Sequence, residues 1–140
     1  MTQFTCEILT PHRRLFSGQA ESVTFVTHDG EIELLAHHEA FVTPVKIGML
    51  RLGTEGEVKI AAVTEGFARV KPGRVDIFVD AAEWPEEIDK ERAQRALERA
   101  NARLASVAVR YQLESSALAA ARARNRLAIA ARAATVAPRP

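Results

Sequence analysis

Residues 74–104 read RVDIFVDAAEWPEEIDKERAQRALERANARL, and two architectures meet inside this stretch. RVDIFVD alternates apolar and polar side chains, the period of a strand that buries one face. Past Pro85 the period lengthens. Leu97, Ala100, Leu104 and Val107 recur at three- and four-residue steps, which makes one apolar stripe on a helix. Asp89 is placed as the N-cap, with Lys90, Glu91 and Arg92 in the first turn. From Glu86 to Ala137 there is neither Gly nor Pro, and Ala, Arg, Glu and Leu dominate. The break at Ala81-Ala82-Glu83-Trp84-Pro85 divides the chain into a β-domain over 1–84 and helices over 85–140.

Upstream of the break the period-2 runs continue. QFTCEIL, ESVTFVT, EIELLA, FVTPVKI, MLRLG and VKIAAV join RVDIFVD as seven expected strands. Thr10-Pro11, Ser17-Gly18, Asp29-Gly30, Glu55-Gly56 and Pro72-Gly73 are expected turns between them. Asp29-Gly30 and Lys71-Pro72-Gly73 have the chemistry of hairpin turns. Pro44 cannot donate to a ladder, so FVTPVKI belongs on an edge or at a bulge. Short strands at this spacing form a β-sandwich or barrel.

Downstream, a second apolar series runs Leu113, Ala117, Ala120, Arg124, Leu127, Ala131, half of it alanine. Val107, Val109 and Ser115-Ser116 lower helix propensity between the two series, so a turn is expected within 106–115. The outcome is an antiparallel two-helix hairpin. Each buried Ala hides little more than a methyl, where a Leu contributes ~2 kcal/mol. Such a hairpin is marginally stable and free to change partners.

Charge follows the same division. The net charge is +1, but residues 1–85 hold 8 Lys/Arg against 12 Asp/Glu (8 − 12 = −4), and residues 86–140 hold 11 against 6 (11 − 6 = +5). Opposite signs point to modules with different partners. The lone Cys6 cannot make an internal disulfide and alternates into the core of FTCEI, so a buried strand residue in a reducing compartment is expected. No secretory signal is expected at MTQFTCEI, and no apolar run reaches the ~20 residues of a membrane span.

Catalytic chemistry is hard to find. There is no phosphate-binding glycine loop and no Cys-x-x-Cys pair. His37 and His38 would point to opposite faces of a strand, which argues against a shared metal. The composition singles out no Ser/His/Asp set. An enzyme is therefore not expected, and no cofactor is required.

From about residue 4 to about 132 the chain resembles the epsilon subunit of bacterial and chloroplast F-type ATP synthases. The matching stretches are Ile8-Leu9-Thr10-Pro11, Phe16-Ser17-Gly18, Asp29-Gly30-Glu31, the run from Gly66 to Ile77, Asp80-Ala81-Ala82-Glu83 and Ile88-Asp89-Lys90-Glu91-Arg92-Ala93. The resemblance implies an N-terminal β-sandwich that binds the gamma subunit and the c-ring. It also implies a C-terminal helical hairpin that regulates. The protein would be a non-catalytic rotor subunit, peripheral on the cytoplasmic face of the plasma membrane, or on the stromal side of the thylakoid. Its hairpin would rise to the alpha and beta catalytic subunits to restrain ATP hydrolysis. Glu31 and His38 would be c-ring contacts. The sequence departs from the family at Ala36-His37-His38-Glu39-Ala40, at Glu33, and at Thr64-Glu65-Gly66, where a Ser-Gly-Gly turn is usual.

The resemblance also implies a regulatory ATP site in the folded hairpin. Its motif is Ile or Leu, Asp, two variable residues, Arg and Ala, present here as Ile88, Asp89, Arg92 and Ala93 around Lys90-Glu91. Glu83, Arg99, Arg122 and Arg126 match the further positions. Arg122 and Arg126 share a helix face, as do Arg92 and Arg99, so each pair can offer guanidinium forks to a phosphate chain. The alternatives are a nucleic-acid-binding module built on the basic hairpin, and a small-ligand enzyme on a β-scaffold. Against the former, residues 86–103 carry five basic and five acidic side chains, and Trp84 and Tyr111 are the only aromatics after Glu83, so no nucleic-acid partner is expected.

Overall fold

The computed structural model describes residues 2–106 and 110–132. Ten strands form two five-stranded sheets packed face to face, followed by two helices. The first sheet runs β2 (Arg14–Ala20), β1 (Phe4–Leu9), β9 (Arg74–Val79), β8 (Gly66–Lys71), β5 (Phe41–Val45). The second runs β10 (Ala82–Glu83), β7 (Glu57–Val63), β6 (Gly48–Thr54), β3 (Ser22–Thr27), β4 (Gly30–Leu35). Neighbours are antiparallel except β1 and β9, which run parallel with Cys6 beside Val75 and Ile8 beside Ile77.

The alternating positions of both sheets fill the space between them. Phe4, Cys6, Ile8, Phe25, Leu50, Leu52, Val70 and Ile77 are fully buried there, giving the dry centre that two half-apolar sheets need. Gly30, Gly56 and Gly73 adopt positive φ at the expected turns. Pro44 lies on edge strand β5, where its missing N–H costs no ladder bond.

Three strands were not among the seven expected: β2, β8 and β10. In β2 the Ser17-Gly18 dipeptide is not a turn, because it pairs with Glu7 and Cys6 of β1. The Phe16 ring lies over Gly18, so that a side chain there would sit 3.3 Å from Cζ. An aromatic neighbour thus supplies the packing the glycine lacks. FVTPVKI is also shorter than expected: β5 ends at Val45, and Lys46 donates its N–H to Val26 O at 2.9 Å as the chain crosses to the second sheet.

After β10 the chain makes a 3-10 turn (Pro85–Glu87), then α1 (Lys90–Ser106) and α2 (Arg110–Arg132). The two helices pack extensively on each other as an antiparallel hairpin. Of the range 106–115 in which a turn is expected, 110–115 are helical and 107–109 lie outside the described residues. The seam is alanine-rich, with Ala93 and Ala100 of α1 and Ala120, Ala123 and Ala130 of α2 all buried. The expected α2 stripe needs correction. Ala117, Arg124 and Ala131 are exposed, and Ser116, Ala123, Ile129 and Ala130 are buried instead. The reason is that α2 packs on two bodies, α1 on one side and the β6–β7 face on the other. Its buried arc is therefore wider than one apolar stripe and includes polar side chains that find partners on the sheet.

Candidate functional site

The seam between α2 and the second sheet begins with a small apolar cluster of Ile60, Ala62, Ile88, Ile129 and Ala130, with Met49 at its edge. Ile88 anchors the chain entering α1. Asp89 follows as an exposed N-cap, its Oδ1 accepting the N–H of Arg92 at 3.0 Å. Ala93 is completely buried, and Arg92 is exposed. Within this motif, packing falls to Ile88 and Ala93, capping to Asp89.

Beside the cluster lies a cavity of about 180 Å³ lined by Glu83, Arg122, Asn125, Arg126 and the Ala62–Thr64 end of β7. Arg126 meets Glu83 with Nε 2.7 Å from Oε1, and Nη2 donates to Oε2 at 3.2 Å. The Nε–H does not align with that carboxylate and has no hydrogen-bond acceptor among the described residues, although it is buried. Arg122 donates through Nε to Glu65 Oε1 at 3.0 Å and through Nη2 to the same oxygen. Asn125 donates to the carbonyls of Gly48 at 2.9 Å and Val63 at 3.4 Å. These polar side chains fasten α2 to the sheet where methyl groups alone would hold it weakly.

Of the residues expected to form an ATP site, the fold gathers Glu83, Arg122 and Arg126 in one cavity. Ile88 adjoins it through the apolar cluster. Arg92 and Arg99 do not line the cavity and are exposed on α1. Glu65 and Asn125 were not foreseen as site residues. Asn125 carried a signal in its position between the two arginines on one helix face. Glu65 stood out only as a departure from a glycine-rich turn.

Glu31 and His38 are not neighbours. They flank opposite ends of β4, with about 14 Å of strand between Glu31 and Leu35 at ~3.4 Å per residue. Glu31 Oε1 holds Arg51 Nη2 at 2.5 Å. The His38 ring sits between the carbonyls of Leu35 and Lys71, 2.5 and 2.6 Å from Nδ1 and Nε2, and stands edge-on to Phe4.

The outer face of the first sheet is of another kind. Val42, Pro44, Phe67 and Phe78 form an apolar strip on it, with Val42 66% and Phe67 47% exposed and Phe67 stacked on Phe78. Beside the strip, Asp76 is almost fully buried beneath Arg69 and Arg74, and Arg74 also reaches Glu7 at 3.0 Å. Burial pushes the Asp76 carboxyl up, but donation from Arg74 and Arg69 outweighs it and holds the group below the usual carboxylate range. On the inner side, Cys6 is pushed up to about 12, first by burial and then by Asp76.

Among the described residues no three His, Cys, Asp or Glu side chains gather as a metal site. No described helix is long and apolar enough to cross a membrane.

The family described as "ATP synthase, Delta/Epsilon chain, beta-sandwich domain" matches residues 3–85. The ATP synthase epsilon chain of Ruminiclostridium cellulolyticum is 46% identical over 127 residues, 91% of this chain and 95% of that one. That of Caldicellulosiruptor bescii is 41% identical over 130 residues, 93% and 95% of the two chains. A chain of the Euglena gracilis mitochondrial ATP synthase, solved as the OSCP/F1/c-ring assembly, superposes with a TM-score of 0.77 at 26% identity, covering 96% of this chain and 82% of its own. A chain of the Tetrahymena thermophila central stalk/c-ring shares the fold, with a TM-score of 0.64 at 13% identity.

Proposed function

This chain belongs to the family of ATP synthase epsilon chains, accessory rotor subunits without a catalytic site of their own, and from that premise we propose that its sandwich couples the rotor and its hairpin is a nucleotide-sensitive brake. The observation that carries the brake is the composition of the α2–sheet seam. A few small apolar side chains and two arginine–carboxylate pairs hold the hairpin, and a contact of this kind can be exchanged for another at low cost.

The sandwich has two outer faces. The hairpin covers one; the apolar strip of Val42, Phe67 and Phe78 with its arginine–carboxylate ladder is open on the other. That open face docks the gamma subunit. The loops around Glu31 and His38 turn toward the c-ring. The subunit is peripheral, on the cytoplasmic side of the membrane. Raised from the sheet, α2 would free Arg122 and Arg126 for acidic surfaces on the alpha and beta subunits.

In its folded form the hairpin binds one ATP as a regulatory ligand. The cavity between Glu83, Arg122 and Arg126 receives part of it, with the two guanidinium groups as donors to the phosphates. At about 180 Å³ the cavity is smaller than the ~300 Å³ at which small-molecule sites begin, so the rest of the nucleotide lies along the surface toward Arg92 and Arg99. A nucleic-acid alternative draws no support here, because residues 86–103 carry as many acidic as basic side chains and Trp84 and Tyr111 are the only aromatics after Glu83.

Calorimetry on the isolated protein tests the nucleotide reading. Saturable heat with ATP at micromolar to millimolar concentration is expected, weakened at least tenfold in Arg92→Ala and Arg126→Ala. No heat at millimolar ATP, or unchanged binding in both variants, would overturn it.

A further inference from the structure

The turn Thr64–Gly66 between β7 and β8 is held on both flanks. Thr64 N–H donates to Ala81 O at 3.0 Å, Ala81 N–H to Thr64 Oγ1 at 2.9 Å, and Asp80 N–H to Glu65 O at 3.1 Å. Gly66 cannot be replaced in this geometry, since a Cβ there would overlap the carbonyl oxygen of Phe78. The backbone of position 65 is therefore fixed, and a side chain placed on it is delivered to one place. Here that side chain is a glutamate, and it takes both Nε and Nη2 of Arg122 on one oxygen.

The two pairs on α2 differ in their access to water. Arg126 and Glu83 keep 23% and 26% of their side chains exposed, whereas Arg122 and Glu65 keep 40% and 35%. Glu65 thus occupies the outer of two guanidinium groups, the one an incoming anion meets first. Together the four side chains are neutral, two cations against two carboxylates. Removing the Glu65 charge leaves the cavity mouth with one net positive charge and a free fork for a phosphate oxygen.

We infer that Glu65 is a built-in competitor for the nucleotide phosphates: it latches the hairpin to the sheet through Arg122 when no nucleotide is present, and must let go of Arg122 for a phosphate to bind. This rests on the nucleotide reading above. A carboxylate already seated in the fork costs an arriving phosphate twice, since the existing pair must break and the displaced carboxylate repels the phosphate nearby. The same pair gives the empty hairpin part of the hold that ligand would otherwise provide. In this chain the brake is set toward the folded form even without ligand, and nucleotide adds less than it would with an uncharged residue at position 65.

The test uses the full chain with ATP as the titrant, in wild type, Glu65→Gln and Arg122→Gln, each checked for intact strand and helix signal by circular dichroism. Amide exchange of residues 114–132 is followed without nucleotide. Glu65→Gln should bind ATP at least tenfold tighter than wild type, and its α2 amides should exchange at least threefold faster in the absence of ATP. Arg122→Gln should exchange equally fast, and the double variant no faster. Equal ATP affinity in wild type and Glu65→Gln would overturn the competition while leaving the nucleotide site standing. No binding by either at millimolar ATP would overturn the nucleotide site and the competition together. Unchanged exchange in Glu65→Gln would overturn the latch in every case.

Discussion

Arg13 and Glu87, 74 residues apart, close a two-pronged pair: Nη1 lies 2.5 Å from Oε2, and Nη2 lies 2.8 Å from Oε1. Arg13 Nη2 also donates to Ala82 O at 2.9 Å, and Glu87 Oε1 accepts the Trp84 N–H at 2.8 Å. The loop between β1 and β2 is thereby clamped to the point where strands give way to helices.

That clamp and the Asp76 cluster make stability depend on acid. Donation from Arg13 holds the Glu87 carboxyl below its ordinary range against a smaller opposing effect of burial, and Asp76 is also held low. Near pH 4 the unfolded chain then binds more protons than the folded one, so stability rises with pH there. The contribution is complete above the ordinary carboxylate range of ~4 and is lost as pH falls through the lower folded values. The urea midpoint should be level from pH 7 to about 5 and drop below. Asp76→Asn should cost about 1–2 kcal/mol at pH 7 and flatten the acid limb. A variant with an unchanged acid limb would remove Asp76 from this account.

The Cys6 thiol, buried and pushed up to about 12, should not react with a disulfide reagent in the native protein at pH 8. One thiol per chain should react in denaturant. Fast labelling of the folded chain would mean that β1 opens from its place between β2 and β9.

Docking through the first sheet predicts that Val42→Asp and Phe67→Asp leave the fold intact, since both side chains already face water. Each should weaken gamma binding at least tenfold, as a charge in an apolar contact must be desolvated without a partner. Pull-down with gamma, alongside thermal melts, separates lost docking from lost folding.

Among the described residues, the sandwich core contains none from either helix. Residues 1–84 alone should therefore give a strand spectrum and a cooperative melt, and should still bind gamma. A disordered fragment would show that the hairpin, or the Arg13–Glu87 clamp, is needed to complete the fold.

Deleting residues 110–140 should raise ATP hydrolysis by the reconstituted catalytic complex, because the braking helix is gone. Replacing Arg122, Arg124 and Arg126 by Ala together should give part of the same rise, since the raised helix loses its cations. Equal rates in all three complexes would mean that the hairpin is not a brake.

Local chemistry settled much of this protein. Alternation over five to seven residues marked most of the strands, glycines at 30, 56 and 73 marked turns through their positive φ, and Asp89 announced the start of α1 through its capping oxygen. Pro44 declared an edge because it lacks an N–H. These signals act within a few bonds, so a linear sequence contains them. Other features depended on which distant segments the sheets bring together. Ser17-Gly18 has the composition of a turn, yet β1 offers it a ladder and Phe16 covers the glycine. The buried arc of α2 could not be read as one apolar stripe, because the helix meets the sheet through Arg122, Asn125 and Arg126 as well as meeting α1 through alanine. Arg122 finds Glu65 across 57 residues and Arg126 finds Glu83 across 43. Helical periodicity placed the two arginines on one face. Only the packing of that face against the sheet decided that carboxylates would meet them there, and that Arg92 and Arg99 would remain outside the cavity, on α1.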